Sequence, residues 1–196
     1  MISSRTPHSF GTADRSEDRA LLERASSGDE RAARILFRAH VAQLHRHAAR
    51  ILGSADDADV EDVVQQAFLA ALDGASRFDG RSSVATWLFG ITTRRALDAA
   101  RSRYRRDRWS RITETVGLGF LAGRPDDMQE AKTEAERALA GLDPDQRLVF
   151  VLHDVEGRTL AEISGLTEVT ISTLHSRLSA ARKKIERMNS GEQVDG

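Results

Sequence analysis

Apolar residues in this chain return every three or four positions along most of its length, and nowhere do they alternate long enough to propose a strand. That interval marks one face of a helix, and a chain so patterned has only helix-on-helix packing available for its core. Leu21, Leu22 and Ala25 open the series, followed by Ala32, Ile35, Leu36 and Ala39, then Leu44, Ala48, Ile51 and Leu52. Ser27-Gly28-Asp29 breaks this run and Gly53-Ser54 ends it. Composition agrees: the chain is rich in Ala, Leu, Arg and Glu, only 5% aromatic and 40% hydrophobic.

The next helix is expected to start at Asp59 as N-cap, with further acids in its first turn to suit the helix dipole. Val60, Val63, Val64, Ala67, Phe68, Ala71 and Leu72 form its apolar stripe, and Asp62, Gln65, Gln66, Leu69 and Asp73 lie on the other side. A loop from Gly74 to Ser82 holds Phe78 and Gly80. Ser83 then caps a long helix through Trp87, Ile91 and Leu97, with Gly90 inside it, where close packing or a bend would explain a residue that costs about 1 kcal/mol relative to Ala. Val116 to Pro125 carries three glycines and a proline and reads as a linker. Beyond it, Asp143-Pro144-Asp145-Gln146 is a strong helix start, with a capping acid, Pro at the first helical position and Gln three residues after the cap. Gly157 suits the end of that helix, and Thr159-Leu160-Ala161-Glu162 is a second capping box.

The expected fold is therefore all-α: two small helical domains joined by a flexible linker, the second with a helix-turn-helix. The expected boundaries are a disordered leader at 1–18, a first domain at 19–111, a linker at 112–133, a second domain at 134–188 and a disordered tail at 189–196.

Net charge is −1, which conceals segregation. Between Arg94 and Arg111 eight arginines face only Asp98 and Asp107, and between Arg177 and Arg187 five basic residues face only Glu186. Acid collects instead at Asp56 to Asp62 and Asp126 to Glu136. A nearly neutral chain with two basic blocks binds polyanions at those blocks. The first block, following the helix that carries Trp87, suits nucleic acid with exposed bases, held by stacking and charge.

The second block lies on a helix-turn-helix pattern. A short helix, Leu160 to Leu166, is followed by a turn at Thr167 to Val169, and Thr170 caps a second helix. Ile171, Leu174, Leu178, Ala181 and Ile185 form that helix's stripe, while Ser172, Thr173, His175, Ser176, Arg177, Ser179 and Arg182 face away. Small hydroxyl side chains let a helix enter the major groove, where His and Arg reach base edges and phosphates. Periodicity alone leaves an amphipathic helix with a solvated basic face as an even alternative; the preceding capped helix, the short turn and the clustered hydroxyls favour DNA. Glu168 occupies the turn where glycine is usual; a positive φ there carries strain, so a turn of different geometry is the other expectation.

Several function classes find no support. The histidines (His8, His40, His45, His47, His153, His175) show no ligand spacing, and His45 and His47 are two apart, off a common helix face. His153 is expected to pack or cap within the second domain. With no cysteine there is no disulfide or thiolate site. No phosphate loop, nucleophile elbow or carboxylate pair appears. No metal, cofactor or catalytic residue is therefore expected, and the chain is read as a non-enzyme. No apolar run approaches the roughly 18 residues of a membrane span and the N-terminus has no apolar signal core, so a cytoplasmic location is expected.

Three segments in order resemble the extracytoplasmic-function (group IV) sigma factors of bacterial RNA polymerase. DVEDVVQQAFLAAL (Asp59 to Leu72) looks like the family's core-binding helix, FDGRSSVATWLFGITTRRALD (Phe78 to Asp98) like its melting and −10-reading region, and Leu142 to Lys184 like its −35-reading domain. The resemblance spans Leu21 to Met188. It implies a polymerase contact at Asp59, Glu61, Asp62, Gln65, Gln66 and Leu69. It implies capture of single-stranded −10 DNA by Phe78, Arg81, Ser82, Ser83, Trp87, Arg94, Arg95 and Arg101. Duplex −35 DNA falls to Thr170, Ser172, Thr173, His175, Ser176, Arg177, Arg182 and Lys183. The implied partners are the polymerase core, promoter DNA and an anti-sigma factor. The chain departs from the family at Gln66, where an acid is frequent, at Arg94, where Asn is frequent, and at Gly90, where a basic residue is frequent. Two other readings stand beside this one: a stand-alone helix-turn-helix regulator with a helical regulatory domain, and a helical adaptor that binds only protein. Neither needs both a core-binding helix and an arginine block.

Overall fold

A computed structural model describes residues 14–53, 57–115 and 138–190. The regular elements among these residues are helical: α1 (Asp14–Ser26), α2 (Glu30–Leu52), α3 (Asp57–Asp73), a 3₁₀ turn (Ala75–Arg77), α4 (Val84–Thr115), α5 (Pro144–Phe150) continuing into a π-helical turn (Val151–Val155), α6 (Leu160–Thr167) and α7 (Ile171–Asn189). The segment Val116 to Pro125 read as a linker lies outside the described residues, and of the expected linker span 112–133 only 112–115 are described, as the end of α4 (Val84–Thr115).

Local chemistry sets the starts. Asp29 caps α2, its carboxylate accepting from the Ala32 N–H. Ser83 accepts from the Thr86 N–H at the head of α4, and Asp143 from Gln146 ahead of Pro144. Thr159 and Glu162 form the reciprocal capping box, and Thr170 accepts from Thr173. Each such cap stabilises its helix by about 1 kcal/mol. Two boundaries differ from the sequence expectation. α3 begins at Asp57, so Asp59 sits in the first turn instead of capping it. α1 begins at Asp14, inside the span expected to be leader, because Asp18 is buried against His40, with 3.0 Å between carboxylate and imidazole.

α1 to α4 bundle around Leu22, Leu36, Leu44, Ile51, Val64 and Leu88. Full burial of side chains of this size contributes roughly 1.5–3 kcal/mol each. The second half has its own packing, with Leu148, Val149, Leu152, Ile163, Leu174 and Leu178 buried between α5, the π turn, α6 and α7. The two sets nevertheless join in one continuous cluster, since α4 packs against both α5 and α6, and α2 against α5.

Gly90 is buried where α4 meets α6. A Cβ there would stand 3.4 Å from Leu166 Cδ2, so the close packing expected of this glycine is against the second half of the chain. Gly53 ends α2 at φ +73°, and a Cβ on it would come within 2.4 Å of the Arg147 guanidinium. Both the turn and the neighbour require glycine at that point.

Candidate nucleic-acid interface

Burial of Val60, Val63, Val64, Ala67, Phe68 and Ala71 turns the opposite face of α3 to solvent. Asp59, Glu61, Asp62, Gln65, Gln66 and Leu69 all lie exposed on it. Leu69 is 61% exposed, a large apolar side chain in a polar surround. The Gln66 amide donates to Asp62 at 2.7 Å, and Asp59 pairs with Arg103 of α4 at 3.5 Å. An exposed leucine rimmed by acids and amides has the composition of a protein-docking patch: an apolar centre with a polar rim.

The loop before α4 presents Arg81 and Ser82 to solvent. Asp79 shapes the turn, accepting from the Arg81 backbone N–H and pairing with its guanidinium, both at 3.0 Å. Ser83, expected among the DNA-facing residues, is buried and committed to the cap, bonded to the Thr86 N–H and hydroxyl. Phe78 and Trp87 pack together, ring centroids 5.3 Å apart, half-buried against the core. Trp87 thus anchors the loop to α4 and leaves part of its ring accessible. Along α4, Arg94 and Arg95 are exposed, and Arg94 donates to the Leu166 carbonyl at 3.0 Å. Arg101 is held by Asp145 of α5 through two hydrogen bonds, 2.7 and 3.3 Å, which raise its pKa further above the usual guanidinium value.

α6, the turn and α7 form the helix-turn-helix. Glu168 adopts φ 60°, ψ 17°, the left-handed conformation that its place in the turn demands. Leu174, Leu178 and Ala181 bury the stripe of α7, but Ile171, expected in that stripe, starts the helix and remains 51% exposed. Thr170, Ser172, Thr173, His175, Ser176, Arg182 and Lys183 are exposed on the opposite side. Arg177 is half-buried beside Asp145, at 2.9 Å. Arg182 binds Asp154 through two nitrogens; this bond, more than the one from His153, holds the Asp154 carboxyl below its usual range against the opposing effect of burial. His153 itself bonds Asp154 at 2.8 Å, in keeping with a packing role.

Three residues outside the expected site, Arg147, His47 and Glu156, join the halves, with Arg103 beside them. Arg147 is 8% exposed inside the molecule and donates to the carbonyls of Leu139, Leu142 and Leu52. Arg103 also donates to Leu52, so the C-terminal carbonyl end of α2, where cations are favoured, receives two guanidinium groups. His47 is buried between Glu156 at 3.0 Å and Thr93 at 2.8 Å. Burial raises the Glu156 carboxyl, but the His47 bond and charge, with Arg158 and Arg50, outweigh it and leave the pKa below the usual value of 4.5. A carboxylate with a lowered pKa stabilises the fold above its unfolded value and loses that contribution as pH falls through the lower folded one. Glu156→Gln is therefore expected to be less stable than the parent at pH 7, with the difference closing below pH 4.5. Denaturant midpoints at pH 7 and at pH 3 check this; an equal gap at both would remove Glu156 from the acid response.

Among the described residues no three His, Asp or Glu side chains cluster as a metal site, and no helix is long and apolar enough to cross a membrane.

Two family models match the chain in tandem: Sigma-70 region 2 over residues 36–106 and Sigma-70 region 4 over residues 132–185. They define a two-region transcription initiation factor, one region on α2 to α4 and the other on α5 to α7. The ECF RNA polymerase sigma factor SigM of Mycobacterium tuberculosis (strain ATCC 25618 / H37Rv) is 32% identical over 179 residues, covering 91% of this chain and 88% of that one. The ECF RNA polymerase sigma-E factor of Escherichia coli (strain K12) is 27% identical, covering 86% and 92%. Among solved structures, that of CnrH in complex with the cytosolic domain of CnrY superposes with a TM-score of 0.57 at 28% identity, over 90% of this chain and 99% of that one. The sigma factor RpoE from Bartonella quintana, in complex with the anti-sigma factor NepR, shares the fold at 22% identity and a TM-score of 0.53, over 78% and 92%. The chain belongs to the ECF RNA polymerase sigma factors.

Proposed function

We propose that the chain attaches to RNA polymerase core through the exposed face of α3, opens and holds the −10 strand with the Phe78–Ser83 loop and α4, and reads the −35 duplex with α7. The observation that carries this reading is the segregation of three surfaces on different helices. An apolar-centred patch surrounds Leu69, an arginine row follows the Phe78–Trp87 pair, and a hydroxyl-rich helix face begins at Thr170. The boundaries 19–111 and 134–188 are proposed for the two functional domains. Within the −10 surface Ser83 shapes the loop, and Arg81, Ser82, Arg94, Arg95 and Arg101 supply contacts. Phosphodiester chemistry belongs to the polymerase, and the chain works in the cytoplasm with no catalytic residue of its own. Two similar structures are complexes, CnrH with the cytosolic domain of CnrY and RpoE with the anti-sigma factor NepR; by analogy, a protein of that kind restrains this chain.

The two kinds of contact on α7 separate experimentally. Arg177→Ala is expected to relax base preference at one −35 position at a cost of about 1–3 kcal/mol. Lys183→Ala is expected to weaken all sequences alike and to lower the salt slope by about one unit. Transcription from a library of −35 sequences at two salt concentrations reads both effects. If neither ranking nor slope moves, α7 is not the −35 reader.

A further inference from the structure

We propose that Ile171, at the head of α7, reads a thymine of the −35 element through the C5-methyl group of the base. This rests on the reading just given, in which α7 lies in the −35 major groove. The period of the sequence puts Ile171 in one stripe with Leu174, Leu178 and Ala181. The structure buries those three and leaves Ile171 51% exposed in the first turn of the helix. Val169, two residues earlier, packs against the core. A single exposed isoleucine is ordinary on a protein surface; its place is what distinguishes this one. A helix-turn-helix meets base edges with the N-terminal residues of its second helix, so this side chain is offered to DNA.

The neighbours of Ile171 narrow what it can meet. Thr170 Oγ1 accepts from the Thr173 N–H at 3.4 Å as the helix cap. The same hydroxyl lies 2.9 Å from that of Thr173 and 3.3 Å from that of Ser172. The hydroxyls at the helix start are thus bonded to one another and to the backbone, and Ile171 stands among them as a large side chain with no polar atom. Base pairs display N7, O6, O4 and amino groups in the major groove, all of which seek hydrogen bonds, and the C5-methyl of thymine, which matches an aliphatic side chain. Isoleucine against a guanine or cytosine edge would cover polar atoms that it cannot pair. One side chain therefore favours thymine and disfavours a G·C pair at the same position.

The test uses polymerase core carrying the full-length chain, with the −35 sequence that this complex selects from a randomised promoter library. Each thymine of that element, on either strand, is replaced in turn by uracil, which removes only the methyl group. With the parent, one such replacement is expected to weaken promoter binding about fourfold, the effect of one buried methyl. Ile171→Ala should bind the thymine promoter about fourfold more weakly than the parent and no longer distinguish thymine from uracil at that position. Ile35→Ala, at an isoleucine 45% exposed on α2, should keep the parent's full difference. An equal loss on thymine and uracil promoters in Ile171→Ala would make the residue a structural or polymerase contact and overturn the proposal. A thymine–uracil difference that survives in Ile171→Ala would overturn it too, as would a selected element without thymine. Arg177→Ala and Lys183→Ala keep the two ideas apart. If they move sequence ranking or salt slope while Ile171→Ala keeps the parent's difference, only the thymine contact is lost. If none of the three has an effect, α7 does not read the −35 element and the contact falls with it.

Discussion

A chain carrying Asp62→Arg and Gln65→Arg is expected to bind RNA polymerase core about 100-fold more weakly than the parent, a loss of roughly 3 kcal/mol. Both side chains stand on the solvent face of α3, Gln65 one turn and Asp62 two turns before the exposed Leu69. Their replacement opens no cavity, because the buried residues of this helix lie on its other side. Two cations at the rim of an acid- and amide-lined patch would meet a partner selected to complement the opposite potential, and like charges at a docked surface cost several kcal/mol. Loss of the Gln66–Asp62 bond affects stability little, since it is an exposed contact within one helix. Fluorescence-detected core binding, with helical content measured alongside, checks the prediction. Unchanged affinity would make this face plain solvated surface.

Arg147→Leu should cost about 3 kcal/mol in unfolding free energy and loosen the junction of the two regions. The guanidinium reaches the carbonyls of Leu139, Leu142 and Leu52 from a site that is 8% exposed. Burial, reinforced by the nearby Arg103 charge, pulls its pKa below the usual guanidinium value, so the charge is held at an electrostatic cost that the carbonyl bonds offset. Leucine fills much of the stem's volume but satisfies none of these acceptors, to which the Ala140 carbonyl adds a fourth, and buried unsatisfied acceptors cost about 1–3 kcal/mol each where water cannot replace the donor. Arg103 continues to bond Leu52, which limits the loss there. Denaturant unfolding measures the effect. A change under about 0.5 kcal/mol, the range of ordinary surface substitutions, would mean that water serves these carbonyls as well as Arg147 does.

The helices themselves were legible because their signals are local. Asp143-Pro144 with Gln146, Thr159 with Glu162, and Thr170 with Thr173 cap where their spacing predicts, and the stripe of α3 buries the residues its period selects. The turn itself was left open in the sequence, where Glu168 allowed either a strained positive φ or a different turn geometry; the structure has the former, at φ 60°. The start of α3 shifted by two residues because any of several acids near Asp57 suits a helix N-terminus. The junction was not legible. His47 looks like any histidine on a helix until Glu156, 109 positions away, is brought to 3.0 Å. Arg147 reads as one more surface arginine in PDQRLVF until α2 ends against it. Pairings at that separation leave no period or motif in the chain. The same is true of Ser83, whose hydroxyl could face DNA or cap a helix, and which three-dimensional packing commits to the cap.

The most direct measurement is run-off transcription by purified polymerase core, with and without the chain, on a library of promoter fragments. Initiation at a restricted set of sequences sharing −10 and −35 elements is expected only when the chain is present, and is expected to be lost with Asp62→Arg and Gln65→Arg. Initiation that is independent of the chain, or a chain that binds duplex DNA and regulates a polymerase already carrying another specificity subunit, would contradict it.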